Sequence, residues 1–247
     1  MVADALVYHP TVSHYLRFVA TTTGRDKVLR LLQYFARFYA WYLLRTNATR
    51  AEIAPYEGIK KAFGQARKLL RVGKNVEHVR AAAVAFDSLT TTTGAKSGGD
   101  PVLKYAALGR QLGYAGYLTA DMLTVPTSLG IRKWDGAQRA AREAYRFWTA
   151  GLACSVVAQL YTLYRLRQRE AKVDKKEGEG VVEAKKIAFE RSVSQLQLLS
   201  DLCDLTAPTS ALGWTSFDDG FVGLAGTVSS LIGIYNQWKK TGREGGN

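Results

Sequence analysis

The sequence predicts an all-α, membrane-associated protein, with N-terminal amphipathic helices, two membrane-embedded helices and a candidate for a third. Three observations predict it. Only five of 247 residues are proline, and no run alternates apolar and polar residues in the period-two manner of a strand. Apolar residues instead recur at helical spacing. Two long runs carry no charge and are bracketed by aromatic and basic residues, as segments anchored at a bilayer interface are.

Composition narrows the class. Apolar residues make up 47% of the chain, too many for a disordered segment, while a mean hydropathy of −0.12 excludes a many-pass membrane protein. Lys and Arg number 34 against 21 Asp and Glu, a formal charge of +13, so the expected partner is anionic: a lipid surface or nucleic acid. Cys154 and Cys203 form no C-x-x-C pair and fit a reducing compartment. Residues 1–10 lack the basic flank and apolar run of a secretory signal, and Glu244-Gly245-Gly246-Asn247 is no retention or peroxisomal-matrix signal.

In chain order, Thr23 with Asp26 reads as a helix start. After it, Val28, Leu31, Leu32, Phe35 and Phe38 fall at helical spacing. Thr49 with Glu52 reads as a second capping pair, opening a helix that runs on towards Phe86. Regions 1–93, 94–101, 102–164, 165–191 and 192–247 are expected as an N-terminal amphipathic part, a loop, an interfacial segment with the first membrane helix, a charged linker, and a C-terminal part with the second membrane helix. The uncharged runs are Phe147 to Tyr164 and Gly220 to Trp238, each close to the roughly 20 residues a span needs. Gln111 to Ile131, interrupted by Asp121 and Pro126, reads as interfacial or re-entrant with Asp121 facing protein. Small residues recur every four positions in both runs: Ala150, Cys154 and Ala158, then Ala225, Ser229 and Gly233. Such stripes let helices pack closely in lipid and mark candidate self-association faces.

The segment expected to carry activity is Ile59 to Val76, IKKAFGQARKLLRVGKNV. On a continuous helix at roughly 100° per residue, Ile59, Phe63, Ala66, Leu69, Leu70, Gly73 and Val76 share one face. Lys60, Lys61, Arg67, Lys68, Arg71 and Lys74 share the other. A helix of this kind lies in the headgroup plane, its apolar side sunk into lipid and its cations on anionic phospholipid, which expands one leaflet and favours curvature.

Catalytic chemistry finds no foothold. His9, His14 and His78 lie near no cluster of metal-ligand spacing. Thr93-Gly94-Ala95-Lys96-Ser97 breaks the phosphate-loop pattern at Ala95, and Asp201, Asp204, Asp218 and Asp219 read as turn and cap residues rather than a metal site. No enzyme activity, catalytic residue, metal or cofactor is expected. Nucleic acid is not the expected partner, since the uncharged runs favour lipid.

Several pieces together resemble the peroxin eleven family of peroxisomal membrane proteins. They are GRDKVLRLLQY (24–34), ARKLLRVGK (66–74), Gly113-Tyr114 with Asp121, RFWTAGLACS (146–155), LSDLCDL (199–205) and VGLAGTVSSLIGIY (222–235). The likeness is to the filamentous-fungal branch. It implies a peroxisomal membrane location, self-association into a homo-oligomer, and a basic amphipathic helix around Arg67 to Phe86. That helix would insert and tubulate the bilayer, elongating peroxisomes ahead of proliferation and fission by a dynamin-type GTPase and its adaptors. By the same resemblance the inserting role falls on Arg67, Lys68, Leu69, Leu70, Arg71, Gly73 and Lys74. The alternative it carries is an oligomeric small-solute channel, lined by Asp121, Gln159, Asn236 and Gln237.

Overall fold

The computed structural model describes residues 7–90, 100–173 and 178–243. Among these the regular structure is helical throughout: α1 (Pro10–Ala20), α2 (Thr22–Arg45), α3 (Arg50–Leu70), α4 (Asn75–Thr90), α5 (Pro101–Leu123), α6 (Val125–Ser128), α7 (Ala137–Glu170), α8 (Glu179–Ala211) and α9 (Asp219–Arg243). The all-α expectation stands. The helices pack into two compact units. One holds residues 1–70 and 217–247, so the C-terminal helix returns to the N-terminal ones. The other holds 71–216.

In the first unit α2 is central, with α3 on one flank and α9 on the other. It starts earlier than the sequence suggested. Thr21, not Thr23, is its cap, accepting a 2.9 Å hydrogen bond from the Gly24 N–H. The α2–α9 seam is an antiparallel ladder in which Trp41 meets Gly220, Phe38 meets Gly223, Tyr34 meets Gly226 and Lys27 meets Gly233. Arg30, buried between the last two steps, donates to the Ser229 hydroxyl at 3.0 Å. Small residues on α9 thus seat large ones on α2. From α1, the buried Phe18 packs near Trp238, and the His14 ring lies 3.8 Å from the Trp238 ring.

In the second unit the order of packed neighbours is α4, α5, α7, α8. Helices α5 and α7 meet almost backbone to backbone. A Cβ on Gly113 would lie 2.5 Å from the Gly151 Cα and 2.9 Å from the Phe147 carbonyl oxygen. Beside this crossing Tyr117 stacks on Trp148 at 5.1 Å, over a core with Leu118 and Ala144. Asp100 caps α5 through the Val102 N–H and accepts from Tyr161 (2.7 Å) and Arg165 (2.6 Å) of α7.

The expected charged linker at 165–191 is helix on both sides of residues 174–177, which lie outside the described set. Residues 165–170 finish α7 and 179–191 begin α8. Arg169 pairs with Glu183 and Glu190, and Arg191 with Glu170, so opposite charges lace the two helix ends together. Of the expected 94–101 loop only Asp100 and Pro101 are described, and the 93–97 phosphate-loop likeness lies outside the described residues.

Deeper between α7 and α8, Asp201 is 2% exposed and accepts hydrogen bonds from Ser155 (2.5 Å) and Gln197 (2.8 Å). Burial pushes its carboxyl above the ordinary range, against the pull of those two bonds and the charge of Arg110. A carboxyl whose folded pKa is raised favours folding most when protonated, and that contribution is lost as pH rises through the folded value. Asp201→Asn keeps an acceptor for Gln197 and offers Ser155 an N–H in place of the carboxylate. The variant is therefore expected to unfold at a higher temperature than the wild type at neutral pH, with the gap closing on acidification. Thermal unfolding followed by helicity across that pH range checks it.

Candidate membrane-binding segment

The expected continuous helix from Ile59 to Val76 is broken. Helix α3 begins at the capping box the sequence shows, with the Thr49 N–H and hydroxyl both donating to Glu52 (2.8 Å each). It ends at Leu70. Residues 71–74 form a turn in which the Lys74 N–H reaches the Arg71 carbonyl, and Gly73 has φ +79°, a left-handed conformation that favours glycine. Helix α4 then starts at Asn75. Gly73 and Val76 therefore do not extend the apolar face of Ile59, Phe63, Ala66, Leu69 and Leu70. The segment also passes from one unit to the other at Leu70.

The second correction concerns the cations. In the first unit, the side of α3 that packs on α2 carries Ile53, Lys60, Gly64 and Arg67. Arg67 is 8% exposed, with its Nε 3.0 Å from Asp26 and a terminal nitrogen 2.8 Å from Gln33. Lys60 reaches Asp219 at 2.9 Å, and Arg37 reaches the same carboxylate at 2.6 Å. Burial raises the Asp219 pKa, but hydrogen bonds from and charges on Arg37 and Lys60 outweigh it, leaving it below the ordinary range. Lys68 is also engaged. Ile59, Phe63, Ala66 and Leu70 are half-buried, whereas Leu69 is 50% exposed.

In the second unit Arg71 donates to the Tyr117 hydroxyl at 2.6 Å and lies 3.3 Å from Asp121. Asp121 faces protein, as its place in an otherwise apolar segment suggested. Lys74 is engaged too. Of the six expected lipid-binding cations only Lys61 is classed as exposed; the others are at least half-buried. The local charge pattern was legible, but the distant carboxylates that consume the charges were not.

Helix α4 carries the part of the expected inserting helix that runs on to Phe86, but with its own apolar side. Asn75, His78, Ala81, Ala82, Ala85 and Leu89 are half-buried or buried, and His78 bonds Gln111 of α5 at 2.8 Å. Val76, Val79, Ala83 and Phe86 share another side and are all exposed, Val76 by 66%. Val72, in the preceding turn, is exposed as well. The signal was present as apolar residues at i, i+3, i+7 and i+10 once the count restarts after Gly73.

The remaining assignments divide. On α9, Ala225 and Ser229 are buried and Gly233 packs on Lys27, so that stripe serves the α2 seam rather than a second copy. On α7, Cys154 packs against Gly109, Ala158 is half-buried and Ala150 is exposed. Among the channel-lining candidates, Asp121 is held by Arg71 and Gln237 donates to Thr21 at 3.4 Å. Asp201 and Asp204 lie in one unit and Asp218 and Asp219 in the other. Among the described residues no group of His, Cys, Asp and Glu is arranged to hold a metal.

Among the described residues, no helix is long and apolar enough to cross a membrane. The two expected membrane helices, within α7 and α9, thus lack the apolarity of spans. Glycine, serine and threonine interrupt both charge-free stretches, most densely in α9, and several of them pack against α5 and α2.

A sequence model of the family described as Peroxisomal biogenesis factor 11 (PEX11) matches residues 12–238. The chain belongs to this family. Among curated relatives, peroxisomal membrane protein PMP27 of Saccharomyces cerevisiae is 28% identical, covering 98% of this chain and 100% of its own. Peroxisomal membrane protein PMP30A of Candida boidinii is 26% identical, covering 98% and 99%. Human peroxisomal membrane protein 11C is 27% identical, covering 89% and 91%. No solved structure matches the chain. As a PEX11 family member it is a protein of the peroxisomal membrane and a peroxisome biogenesis factor.

Proposed function

We propose that this PEX11 family protein binds the peroxisomal bilayer and curves it, elongating the organelle ahead of fission by a dynamin-type GTPase. The observation that carries the reading is the exposed apolar stripe of Val76, Val79 and Phe86 on α4, with Val72 before it. Such residues sunk into the acyl boundary each contribute roughly 1.5–3 kcal/mol when fully buried. A shallow wedge of this kind expands one leaflet relative to the other. Arg80, exposed on the same helix, supplies charge suited to anionic phospholipid. Self-association and recruitment of the GTPase and its adaptors belong to the same proposal.

The test uses the full chain with vesicles containing phosphatidylserine. Val79→Glu with Phe86→Glu is expected to abolish vesicle tubulation while leaving helicity unchanged, because both side chains are exposed in the fold. Tubulation equal to wild type in the double variant would overturn the assignment.

A further inference from the structure

We propose that the corner between α6 and α7 is a second lipid-contact site, a braced loop that docks on an anionic headgroup surface independently of the α4 stripe. Ile131 is 75% exposed and Trp134 48%, an unusual cost for two large apolar residues at the tip of a connection. The loop that displays them is held from within. The Pro126 carbonyl accepts from the Ile131 N–H (2.9 Å) and the Arg132 N–H (3.3 Å), and the Thr127 hydroxyl donates to the Arg132 carbonyl (3.0 Å). The Ala137 N–H closes on the Trp134 carbonyl (3.0 Å), and the Trp134 ring lies across Gly136, where a Cβ would come within 2.4 Å of it. The turn that carries the exposed pair is therefore held in shape from within.

Exposed cations lie next to it along the chain. Arg132 and Lys133 lie between the two apolar residues, and all four are exposed. In the first turns of α7, Ala137, Ala140 and Ala144 face the core, while Arg139, Arg142 and Arg146 are exposed. At roughly 100° per residue the arginines stand about half a turn from the alanines. The acids nearby are Glu143, which pairs with Arg146 at 2.7 Å, and Asp135. Among the described residues, no ion pair engages Arg132, Lys133, Arg139 or Arg142. In ARKLLRVGK, by contrast, Arg67 and Arg71 are held by carboxylates. A tryptophan and an aliphatic residue flanked by uncommitted cations suit the headgroup layer, where the indole sits at the interface and the cations meet lipid phosphate and carboxylate. The occupant is a lipid surface of the membrane in which the family resides.

The experiment uses the full chain with Cys154→Ala and Cys203→Ala and one new cysteine, Ile131→Cys, carrying a polarity-sensitive dye. It is mixed with vesicles of phosphatidylcholine alone or with added phosphatidylserine. The expected result is a blue shift that is strong with phosphatidylserine, weak without it, and reduced by salt. In the native-cysteine chain, Arg132→Gln, Lys133→Gln, Arg139→Gln and Arg142→Gln together are expected to weaken partitioning onto phosphatidylserine vesicles by up to several hundred-fold, at roughly fivefold per charge. A dye that stays water-exposed on both vesicles, or unchanged partitioning in the four-charge variant, overturns the proposal. An acidic protein that blue-shifts the dye where vesicles do not has the same consequence. A parallel Val79→Cys probe reads the α4 stripe separately, so a dry 79 with a wet 131 rejects this site alone.

Discussion

Arg67→Met is expected to lower folding stability by about 3–5 kcal/mol, the usual cost of removing one partner of a buried pair, while leaving contact with anionic vesicles intact in the molecules that remain folded. The reason is where the guanidinium lies. It is almost wholly enclosed between α3 and α2, bonded to Asp26 and Gln33, and Asp26 is itself largely buried. Removing the cation leaves a carboxylate in a poorly solvated place without the guanidinium, and no lipid headgroup reaches it. If Arg67 were a lipid contact, the pattern would invert: stability unchanged and vesicle partitioning weakened. Thermal unfolding and vesicle flotation on one preparation separate these outcomes. Lys61→Gln is the matched control, since Lys61 is exposed on the same helix.

The second large effect is expected at Gly113. Gly113→Ala places a methyl group 2.5 Å from the Gly151 Cα and 2.6 Å from its nitrogen, and backbone cannot rotate aside as a side chain can. The α5–α7 crossing must open, separating Tyr117 from Trp148. The cost is expected to be on the order of 3 kcal/mol, a fall of roughly 5–10 °C in Tm for a chain of this size. Gly58→Ala is the contrast. It lies within α3 with nothing near its missing Cβ, so the same chemical change is expected to stabilise by up to about 1 kcal/mol through helix propensity. Thermal scans of the two variants should move in opposite directions, and a shared direction would remove the close crossing from the account.

These results bear on what could be read before the structure. Local signals were sound where the physics is local: the Thr49–Glu52 box opens α3 as its spacing implies, and Asp121 in an apolar segment does find a protein partner. Segment 59–76 went differently because a helical wheel sorts residues by type and assumes that charge seeks solvent. Asp26 and Asp219 lie far from it in sequence, and by capturing Arg67 and Lys60 they turn that charged side inward. The stop at Leu70 was written in Gly73, but a glycine inside a helical pattern is also compatible with an uninterrupted helix, and only its positive φ decides. The uncharged runs show the same ambiguity. Glycine and serine at four-residue spacing serve close helix packing whether the neighbour is another chain or α2 of the same one.

The return of α9 to the N-terminal helices has a kinetic consequence. Domains generally fold as they leave the ribosome, N-terminal parts first, yet here the earliest helices wait for the latest. Helix α2 keeps Tyr34, Phe38 and Trp41 without their glycine seats until residues 219–243 have been made, whereas α4, α5, α7 and α8 pack on one another within residues 71–216. The middle of the polypeptide is thus free to mature before its beginning, and the nascent N-terminal hairpin leaves translation as a sticky, half-built object that a chaperone would have reason to shield.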